Sequence, residues 1–335
     1  MGHNMKDFLK PKVVISKCLE FDHCRWNGNI IKSPIVEILE SYIDFQPVCA
    51  EVEIGLGVPR EPVRIVKGES LKLIQPSSLK DYTEKMETFT KDYLNSIDIV
   101  DGFILKSKSP SCGIKETNYY YDIKRGSAVI EKGAGLFGRE VLKMFPNAAI
   151  ETEGRLMNFR IREHWLTKLY TLKNFRHMKK SESNHKLVEF HTKNKFLFMA
   201  YNQNLMRKMG RIVANPFNKP FKSIIEEYET FLHNLLNNPP EYTSHINVLI
   251  HIFGYFKKEL NPKEKAFFLD ELEKYRAGWI PLFMIIELIK SWLMKADKSY
   301  LQAQSYFEPY PEELMNFDIK DTWRGRTYWN PRERR

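Results

Sequence analysis

Val13-Val14-Ile15-Ser16, which leads into Cys18 two residues later, is a run of mostly β-branched residues typical of a buried strand. Residues 45–49 and 101–105 are predicted as the second and third strands. Between the first two of these runs, residues 35–42 carry apolar side chains at helical spacing. Strands that alternate with helices predict a parallel sheet. We therefore expect an α/β N-terminal domain with a Rossmann-like parallel sheet.

After residue 151 the pattern changes to segments with apolar residues at helical spacing, separated by breakers such as Asn215-Pro216. Asn261-Pro262-Lys263-Glu264 combines an N-cap, a proline in the first turn and an acidic residue at the third helical position. This combination is typical of a helix start, and we expect an all-α helical C-terminal domain. The predicted division is an N-terminal domain at residues 1–155, a helical domain at 156–318 and a basic tail at 319–335.

The size and composition of the chain fit two folded domains. It has 335 residues, of which 43% are hydrophobic, which is enough for sizeable cores and too many for a largely disordered chain. No apolar run of about 18 residues occurs, so we expect no membrane-spanning helix. The first 12 residues lack the apolar core of a signal peptide, so we expect a cytoplasmic location.

The positive charge of the chain is concentrated in its second half. The formal net charge is +10, of which residues 1–150 carry +1 and residues 151–335 carry +9. Residues 155–222 contain 16 basic residues and only three acidic ones. Such an excess repels itself unless a polyanion neutralises it. The alternative is that these residues form an ordinary solvated face.

Aromatic and histidine side chains lie among the basic residues of 155–222, for example Trp165, Tyr170 and His177. Side chains that stack on bases, next to side chains that pair with phosphates, are typical of proteins that bind RNA. The tail at 319–335 adds six basic residues and two tryptophans. We therefore expect these two segments to bind nucleic acid, although aromatic residues at helical spacing also build cores.

The four cysteines all lie in the first 150 residues. Cys18, Cys49 and Cys112 each follow a predicted strand, either directly or after a short loop. Ligand sites in open α/β sheets collect at the carboxyl ends of the strands. We therefore expect these three cysteines to converge at one edge of the sheet.

Four roles for these cysteines are compatible with the sequence. The simplest role is inert burial. A structural zinc site needs four ligands, usually in close pairs, and five residues separate Cys18 from Cys24. A cysteine nucleophile needs a base, and no His lies near Cys49 or Cys112 in the sequence. An iron–sulfur cluster held by three thiolates suits soft sulfur ligands and leaves one iron open to a substrate.

Five N-terminal motifs are long enough to compare with known families: Ser16-Lys17-Cys18-Leu19, Cys24-Arg25-Trp26-Asn27-Gly28, residues 47–60, residues 101–106 and Ser109-Pro110-Ser111-Cys112-Gly113. They resemble the thiouracil desulfidase family, over roughly residues 11–155. The remaining chain resembles the helical YbgA-type domain through residues 254–258, 275–282 and 300–311. Fusions of the two are similar to bacterial enzymes that remove sulfur from 4-thiouridine in tRNA.

The resemblance implies a 4Fe–4S cluster with three cysteine ligands and one free iron. On the matching motifs those ligands are Cys18, Cys49 and Cys112, with Cys24 as a neighbour. The resemblance also implies a catalytic carboxylate and a catalytic serine. By position relative to the cysteines, these are Glu51 and Ser109.

Each implied catalytic residue has a structural alternative. Glu51 could instead form a salt bridge with Arg60 or Arg64, and Ser109 could be a turn hydroxyl beside Pro110. In the catalytic interpretation Glu51 activates a water and Ser109 hydrogen-bonds the base or the developing charge. The side chains expected to contact substrate are Arg25, Lys106 and Ser111, and Ser111 is also the rival catalytic serine.

Three functions follow from these observations. The first is a cluster-dependent, non-redox desulfidase that converts 4-thiouridine in tRNA to uridine and releases sulfide, binding tRNA through 155–222 and the tail. The second is a desulfidase of free thiouracil-type bases. The third is a non-catalytic RNA-binding protein with a structural metal.

Overall fold

The computed structural model describes residues 8–124 and 126–315 of the chain. By internal packing these residues form two units. One contains the described residues up to Lys173 together with 310–315, and the other is Asn174–Pro309. The packing units therefore differ from the domains expected at 1–155 and 156–318, whose bounds remain predictions. The tail expected at 319–335 lies outside the described residues.

Nine strands occur in the described residues. They are β1 (Lys12–Ser16), β2 (Asp44–Val48), β3 (Arg64–Lys67), β4 (Leu71–Gln75), β5 (Lys80–Asp81), β6 (Gly102–Leu105), β7 (Thr117–Tyr120), β8 (Val129–Gly133) and β9 (Ala149–Thr152). The α-helices are α1 (Pro34–Leu39), α2 (Ala50–Glu53), α3 (Thr83–Ser96), α4 (Leu136–Met144), α5 (Glu153–Leu156), α6 (Phe159–Lys179), α7 (Asn184–Lys193), α8 (Lys195–Ala214), α9 (Phe221–Leu235), α10 (Tyr242–Gly254), α11 (Pro262–Arg276), α12 (Leu282–Leu293) and α13 (Ser299–Gln302).

The first unit is built on a parallel sheet with the strand order β2-β1-β6-β9. Val13, Val14 and Ile15 of the central strand β1 are fully buried, because helices cover both faces of the sheet. Residues of α1 and α6 pack on one face, and residues of α3 and α4 pack on the other. The predicted α/β class with a Rossmann-like parallel sheet is confirmed.

A second sheet, which the sequence did not predict, has the order β5-β4-β3-β7-β8. Its strands are two to five residues long, and β8 is almost entirely exposed. Short strands with exposed polar side chains lack the continuous apolar run that marks the strands of the parallel sheet. That difference explains why sequence patterning found one sheet and missed the other.

The second unit is helical, as predicted, and contains α7–α13. Asn261 begins α11 with the expected capping box, in which Asn261 and Glu264 exchange side-chain to backbone hydrogen bonds. A kink at Asn202 interrupts α8, with φ −163° and ψ 107°. The Asn202 side chain accepts a hydrogen bond of 3.0 Å from the Leu205 N–H and so restarts the helix.

None of the helices in the described parts of the chain has a stretch long and apolar enough to cross a membrane. The cytoplasmic location remains a prediction.

Candidate active site

Three strands of the parallel sheet end at the same edge, and the residues that follow them line one cavity of about 400 Å³. β1 leads to Cys18, β2 leads to Cys49, and β6 leads through a loop to Cys112. All three line the cavity, as does Cys24. Parallel strands place their carboxyl ends together, so distant cysteines reach one place.

The four thiols are close enough to influence one another. Cys24 is buried, and its thiol is hydrogen-bonded to the side chains of both Cys18 and Cys49. The Cys49 Sγ also donates to the Cys24 carbonyl at 3.8 Å. None of the four forms a disulfide. Cys24 therefore lies among the three implied ligands rather than apart from them.

The pKa values of three of these thiols are raised. A hydrogen bond to Cys18, together with burial, raises the pKa of Cys24 to about 11. Burial raises the pKa of Cys112 to about 12, although hydrogen bonds from Ser16 and Ser109 oppose this effect. A hydrogen bond to Cys24 and burial raise the pKa of Cys49 well above its usual range. Thiols of this kind are protonated at neutral pH, so binding a metal releases protons.

The donor set fits a cluster better than a single ion. Within residues 8–124 and 126–315, no three His, Cys, Asp or Glu side chains lie close enough together to hold one metal ion. The cavity instead has four soft sulfur donors spaced around it, and thiolates are the usual ligands of iron–sulfur clusters.

Glu51 enters the cavity because α2 begins directly after Cys49. Its Oε2 accepts hydrogen bonds from Arg60 Nε at 2.9 Å and from Arg60 Nη2 at 2.6 Å. Its Oε1 accepts one from the Ser111 hydroxyl at 2.9 Å. The salt bridge considered as a structural alternative is thus formed with Arg60, whereas Arg64 lies over the Tyr120 ring. Glu51 has both the salt bridge and a place in the cavity wall.

Arg60 has a second set of contacts. Its Nη1 donates to the carbonyl oxygens of Cys24 at 3.0 Å and Gly57 at 2.9 Å. One guanidinium therefore ties the Glu51 carboxylate to the Cys24 loop. The sequence suggested Arg60 only as a structural partner, since its contacts join segments far apart in the chain.

The Ser109 hydroxyl organises the loop that carries Cys112. Its Oγ accepts hydrogen bonds from the backbone N–H groups of Ser111 at 3.2 Å and Cys112 at 3.1 Å. This is the turn role considered as the alternative for Ser109. The side chain also lines the cavity, and its own hydrogen can be donated, since hydrogen bonding by Ser109 lowers the pKa of Cys112.

The N-terminal end of α4 fixes the same loop from behind. The N–H groups of Gly135, Leu136 and Gly138 donate to the carbonyl oxygens of the loop 110–113 at 2.7, 3.1 and 3.0 Å. These are N–H groups that a helix start leaves without helical partners. A Cβ at Gly138 would lie 2.2 Å from the Gly113 carbonyl oxygen, and one at Gly135 would lie 2.4 Å from that of Ser111. Only glycine allows this approach.

Ser16, the last residue of β1, is a further site residue that sequence reasoning missed. It is buried, lines the cavity, and accepts a hydrogen bond of 2.9 Å from the Lys106 N–H. Its own hydroxyl hydrogen lowers the pKa of Cys112 by hydrogen bonding. Its position at the end of the strand before Cys18 was the only available signal.

The residues expected to contact substrate are placed differently from one another. Arg25 and Lys106 line the cavity. The Lys106 ammonium, however, is paired with the carboxylate of Glu153, which is itself buried. Ser111 is fully buried behind Glu51 and does not line the cavity. This placement gives Ser111 a role in positioning Glu51 rather than the expected contact with substrate.

Two family comparisons cover most of the chain. The family described as 2-thiouracil desulfurase matches residues 13–153. The family described as protein of unknown function (DUF1722) matches residues 195–311. Both resemblances drawn from the sequence are confirmed.

Individual relatives give the same division. YbgA of Escherichia coli (strain K12) is 29% identical over 129 residues, which are 38% of this chain and 76% of YbgA. YbbK of Bacillus subtilis (strain 168) is 32% identical over 110 residues, which are 30% of this chain and 72% of YbbK. Both are described as uncharacterised proteins.

Among solved structures, a [4Fe-4S]-dependent thiouracil desulfidase, TudS, matches with a TM-score of 0.35 and 24% identity. The match covers 44% of this chain and 94% of TudS. The sequence matches establish the family independently of this likeness. The chain therefore belongs to the 2-thiouracil desulfurase family and carries a desulfidase of the thiouracil type, followed by a DUF1722 (YbgA-like) region.

Proposed function

We propose that the chain is a 4Fe–4S-dependent desulfidase that converts 4-thiouridine in tRNA to uridine and releases sulfide. The observation that carries the proposal is the cavity at the sheet edge, where four thiols and the Glu51 carboxylate line one space. Soft sulfur donors beside a carboxylate suit a reaction that takes a soft sulfur atom from carbon and replaces it with the oxygen of water.

Cys18, Cys49 and Cys112 would hold the cluster, with Cys24 as their neighbour. When bound, the cluster would supply one iron open to the substrate, a Lewis acid suited to a thiocarbonyl sulfur. Changing Cys112 to alanine should abolish both iron binding and turnover. The matched change Cys24→Ala should retain iron, measured as iron and sulfide per chain. Loss of iron in both variants would make Cys24 a ligand.

Glu51 is placed to act as the general base. Arg60 donates twice to Oε2, and Ser111 donates once to Oε1. A carboxylate has about four acceptor sites, so Oε1 keeps one for a water molecule. Arg60 and Ser111 thus fix the orientation of the carboxylate while leaving it able to take a proton.

The overall reaction balances as a hydrolysis. A water oxygen forms a bond to the thiocarbonyl carbon as Glu51 takes one proton, and the bond from that carbon to sulfur then breaks. Both protons of the water leave with the sulfide, so no oxidant or reductant is needed. Ser109 can donate its hydroxyl hydrogen to the negative charge that develops on an atom bonded to this carbon.

The helical unit supplies the argument for RNA as the substrate. Arg207, Lys208 and Arg211 are exposed along α8 and form no ion pair with any residue in the described ranges. Exposed, unpaired cations along one helix suit a phosphate backbone. Free thiouracil-type bases remain the alternative substrate, because a cavity of about 400 Å³ is large enough for a base alone.

The test uses protein purified without oxygen and loaded with cluster. We expect it to convert 4-thiouridine in bulk tRNA to uridine with one sulfide released per base, and to act far more slowly on free 4-thiouracil and 2-thiouracil. Turnover of the free bases alone would favour the alternative function, a desulfidase of free thiouracil-type bases. Cluster-loaded protein that leaves the tRNA and both free bases unchanged would contradict the desulfidase assignment.

A further inference from the structure

The mouth of the cavity has three accessible side chains that the proposed chemistry does not use. Arg25 is half-buried, Lys108 is exposed, and the Trp26 side chain is 43% exposed. All three line the same cavity as the cysteines. Trp26 and Lys108 are exposed, whereas Cys24 and Cys112 are buried and Cys18 and Cys49 are partly buried.

The cations around this cavity fall into two classes. Lys17 is paired with Asp22 at 2.9 Å, and Lys106 is paired with Glu153. Arg60, as described above, is held by Glu51. Arg25 and Lys108, by contrast, form no ion pair with any residue in the parts of the chain that the structure describes. Two positive charges at the mouth are therefore available to an anion.

The backbone at Lys108 has a left-handed conformation. Its φ is +59°, in the left-handed region that L side chains rarely adopt and that glycine adopts without strain. Exposed Leu79 has a similar φ of +54°, so the support for a role of Lys108 is its place in the cavity wall and its lack of an ion-pair partner among the described residues. The turn after β6 thus presents a cation at the expense of backbone strain.

Trp26 provides a flat apolar surface beside the two cations. No aromatic partner stacks on its indole among the described residues. The backbone of the loop that carries Trp26 is fixed by Arg60. The backbone N–H of Arg60 donates a hydrogen bond of 2.7 Å to the Trp26 carbonyl oxygen. An exposed indole on a fixed backbone suits base stacking, which tolerates any base because each has a π face.

We infer that this mouth is a subsite for a nucleotide, in which Arg25 and Lys108 bind the phosphate of the thiolated nucleotide and Trp26 stacks on the adjoining base. The inference rests on the proposed function, because it assumes that a thiolated base enters the cavity. It assigns the phosphate to Lys108 and not to Lys106, because Glu153 neutralises Lys106. The site thereby distinguishes a nucleotide within a strand from a free base.

The test measures binding of product-type ligands to the cluster-loaded protein by equilibrium dialysis. The probes are uridine, uridine 5′-monophosphate and the dinucleotide pUpU. We expect the wild-type chain to bind the monophosphate at least about tenfold more tightly than uridine, since charge-assisted hydrogen bonds of this kind are worth that factor or more. No preference for the monophosphate would overturn the inference.

Two variants remove the cations with matched controls. Lys108→Gly keeps the left-handed backbone, and Leu79→Gly makes the same change at φ +54° on an exposed residue of the same unit. Arg25→Gln is matched by Lys91→Gln on the exposed face of α3. We expect Lys108→Gly and Arg25→Gln each to lower the preference for the monophosphate about tenfold, and both controls to retain it. Equal weakening of uridine and monophosphate binding would overturn the phosphate assignment.

A third pair of variants tests Trp26. Trp26→Ala should remove most of the added affinity of pUpU over the monophosphate, about tenfold, and Trp26→Phe should restore it, because stacking needs an aromatic face. An unchanged pUpU affinity in Trp26→Ala would contradict the stacking role. These binding results are separate from sulfide release. A chain that prefers the monophosphate but never desulfurates tRNA would keep the subsite and lose the proposed function.

Discussion

The buried wall of the cavity at the sheet edge and the exposed face of α8 hold their charges in opposite ways. In the cavity, the Arg60 side chain is only 4% exposed and is paired with Glu51. On α8, Arg207, Lys208 and Arg211 are exposed and have no ion-pair partner among the described residues. Buried, paired charges keep a fixed geometry, which chemistry requires. Exposed, unpaired cations supply an attraction that salt weakens, which suits docking of a polyanion.

The largest effect should come from removing the partly buried Glu51 carboxylate. Glu51→Gln preserves size and a carbonyl oxygen for Arg60 but cannot take a proton, so we expect turnover to fall about 100- to 10,000-fold with iron content retained. Glu53→Gln is the matched control, because Glu53 is the exposed acid of the same helix. Full turnover in Glu51→Gln would show that Glu51 only holds Arg60.

The next largest effect is expected from adding a side chain at Gly138, where α4 packs closely against the loop that carries Cys112. In Gly138→Ala the new Cβ would meet the carbonyl oxygens of Gly113 at 2.2 Å and Cys112 at 2.8 Å. We expect the loop to shift, the unit to lose about 3 kcal/mol of stability and iron content to fall. Gly68→Ala is the control, since nothing lies within 4 Å of its added Cβ. Iron content and thermal unfolding measure both, and equal behaviour of the two variants would contradict the role of α4.

A smaller effect is expected on α8. Replacing Arg207, Lys208 and Arg211 together by glutamine should weaken tRNA binding about 30-fold at low salt and flatten its salt dependence. Turnover of free thiouracil should not change. A control with the same loss of charge replaces Lys257, Lys263 and Lys295, which lie elsewhere on the helical unit. If both triple variants lose the same affinity, the effect is one of net charge and not of this helix.

The smallest effect is a pH dependence in the helical unit. Burial lowers the pKa of His191 to about 4, with the nearby Lys195 charge acting in the same direction, and its ring lies 3.1 Å from the Tyr228 hydroxyl. The unfolded chain therefore binds a proton near pH 6.5 that the folded chain binds only near pH 4. Stability should be complete above pH 6.5 and fall as the pH drops, by about 1 kcal/mol at pH 5.5.

Thermal unfolding at pH 7.5 and 5.5 measures this dependence. His191→Gln should reduce the difference between the two pH values. The control His185→Gln, at an exposed position of α7, should leave it as in the wild-type chain. A difference that is unchanged in His191→Gln would assign the titration to another group.

The sequence predicted the parallel sheet, and the edge of the sheet where the cysteines meet, because both follow from short local patterns of residues. Strands such as β1 are continuous apolar runs, and a parallel sheet brings their ends together. Ser16 and Gly138 could not be found in this way, and Arg60 was found only as a possible salt-bridge partner of Glu51. Their roles depend on contacts with residues more than 20 positions away, such as Cys24 for Arg60 and Lys106 for Ser16.

The same limit applies to the charges. The sequence located the basic excess in 155–222 and named both Arg25 and Lys106 as side chains expected to contact substrate. Only the fold shows that Glu153 neutralises Lys106 while Arg25 stays unpaired among the described residues. The second sheet was missed for a different reason, since its strands are at most five residues long and its edge strands β5 and β8 are exposed.

The measurement that tests the central claim most directly is the metal and sulfide content of the wild-type chain purified without oxygen. A cluster held by three cysteines of the cavity predicts about four iron atoms and about four acid-labile sulfides per chain. Substitution of Cys112 by alanine should reduce both values to background. Stoichiometric zinc with no iron would contradict the account and favour a structural metal in an RNA-binding protein.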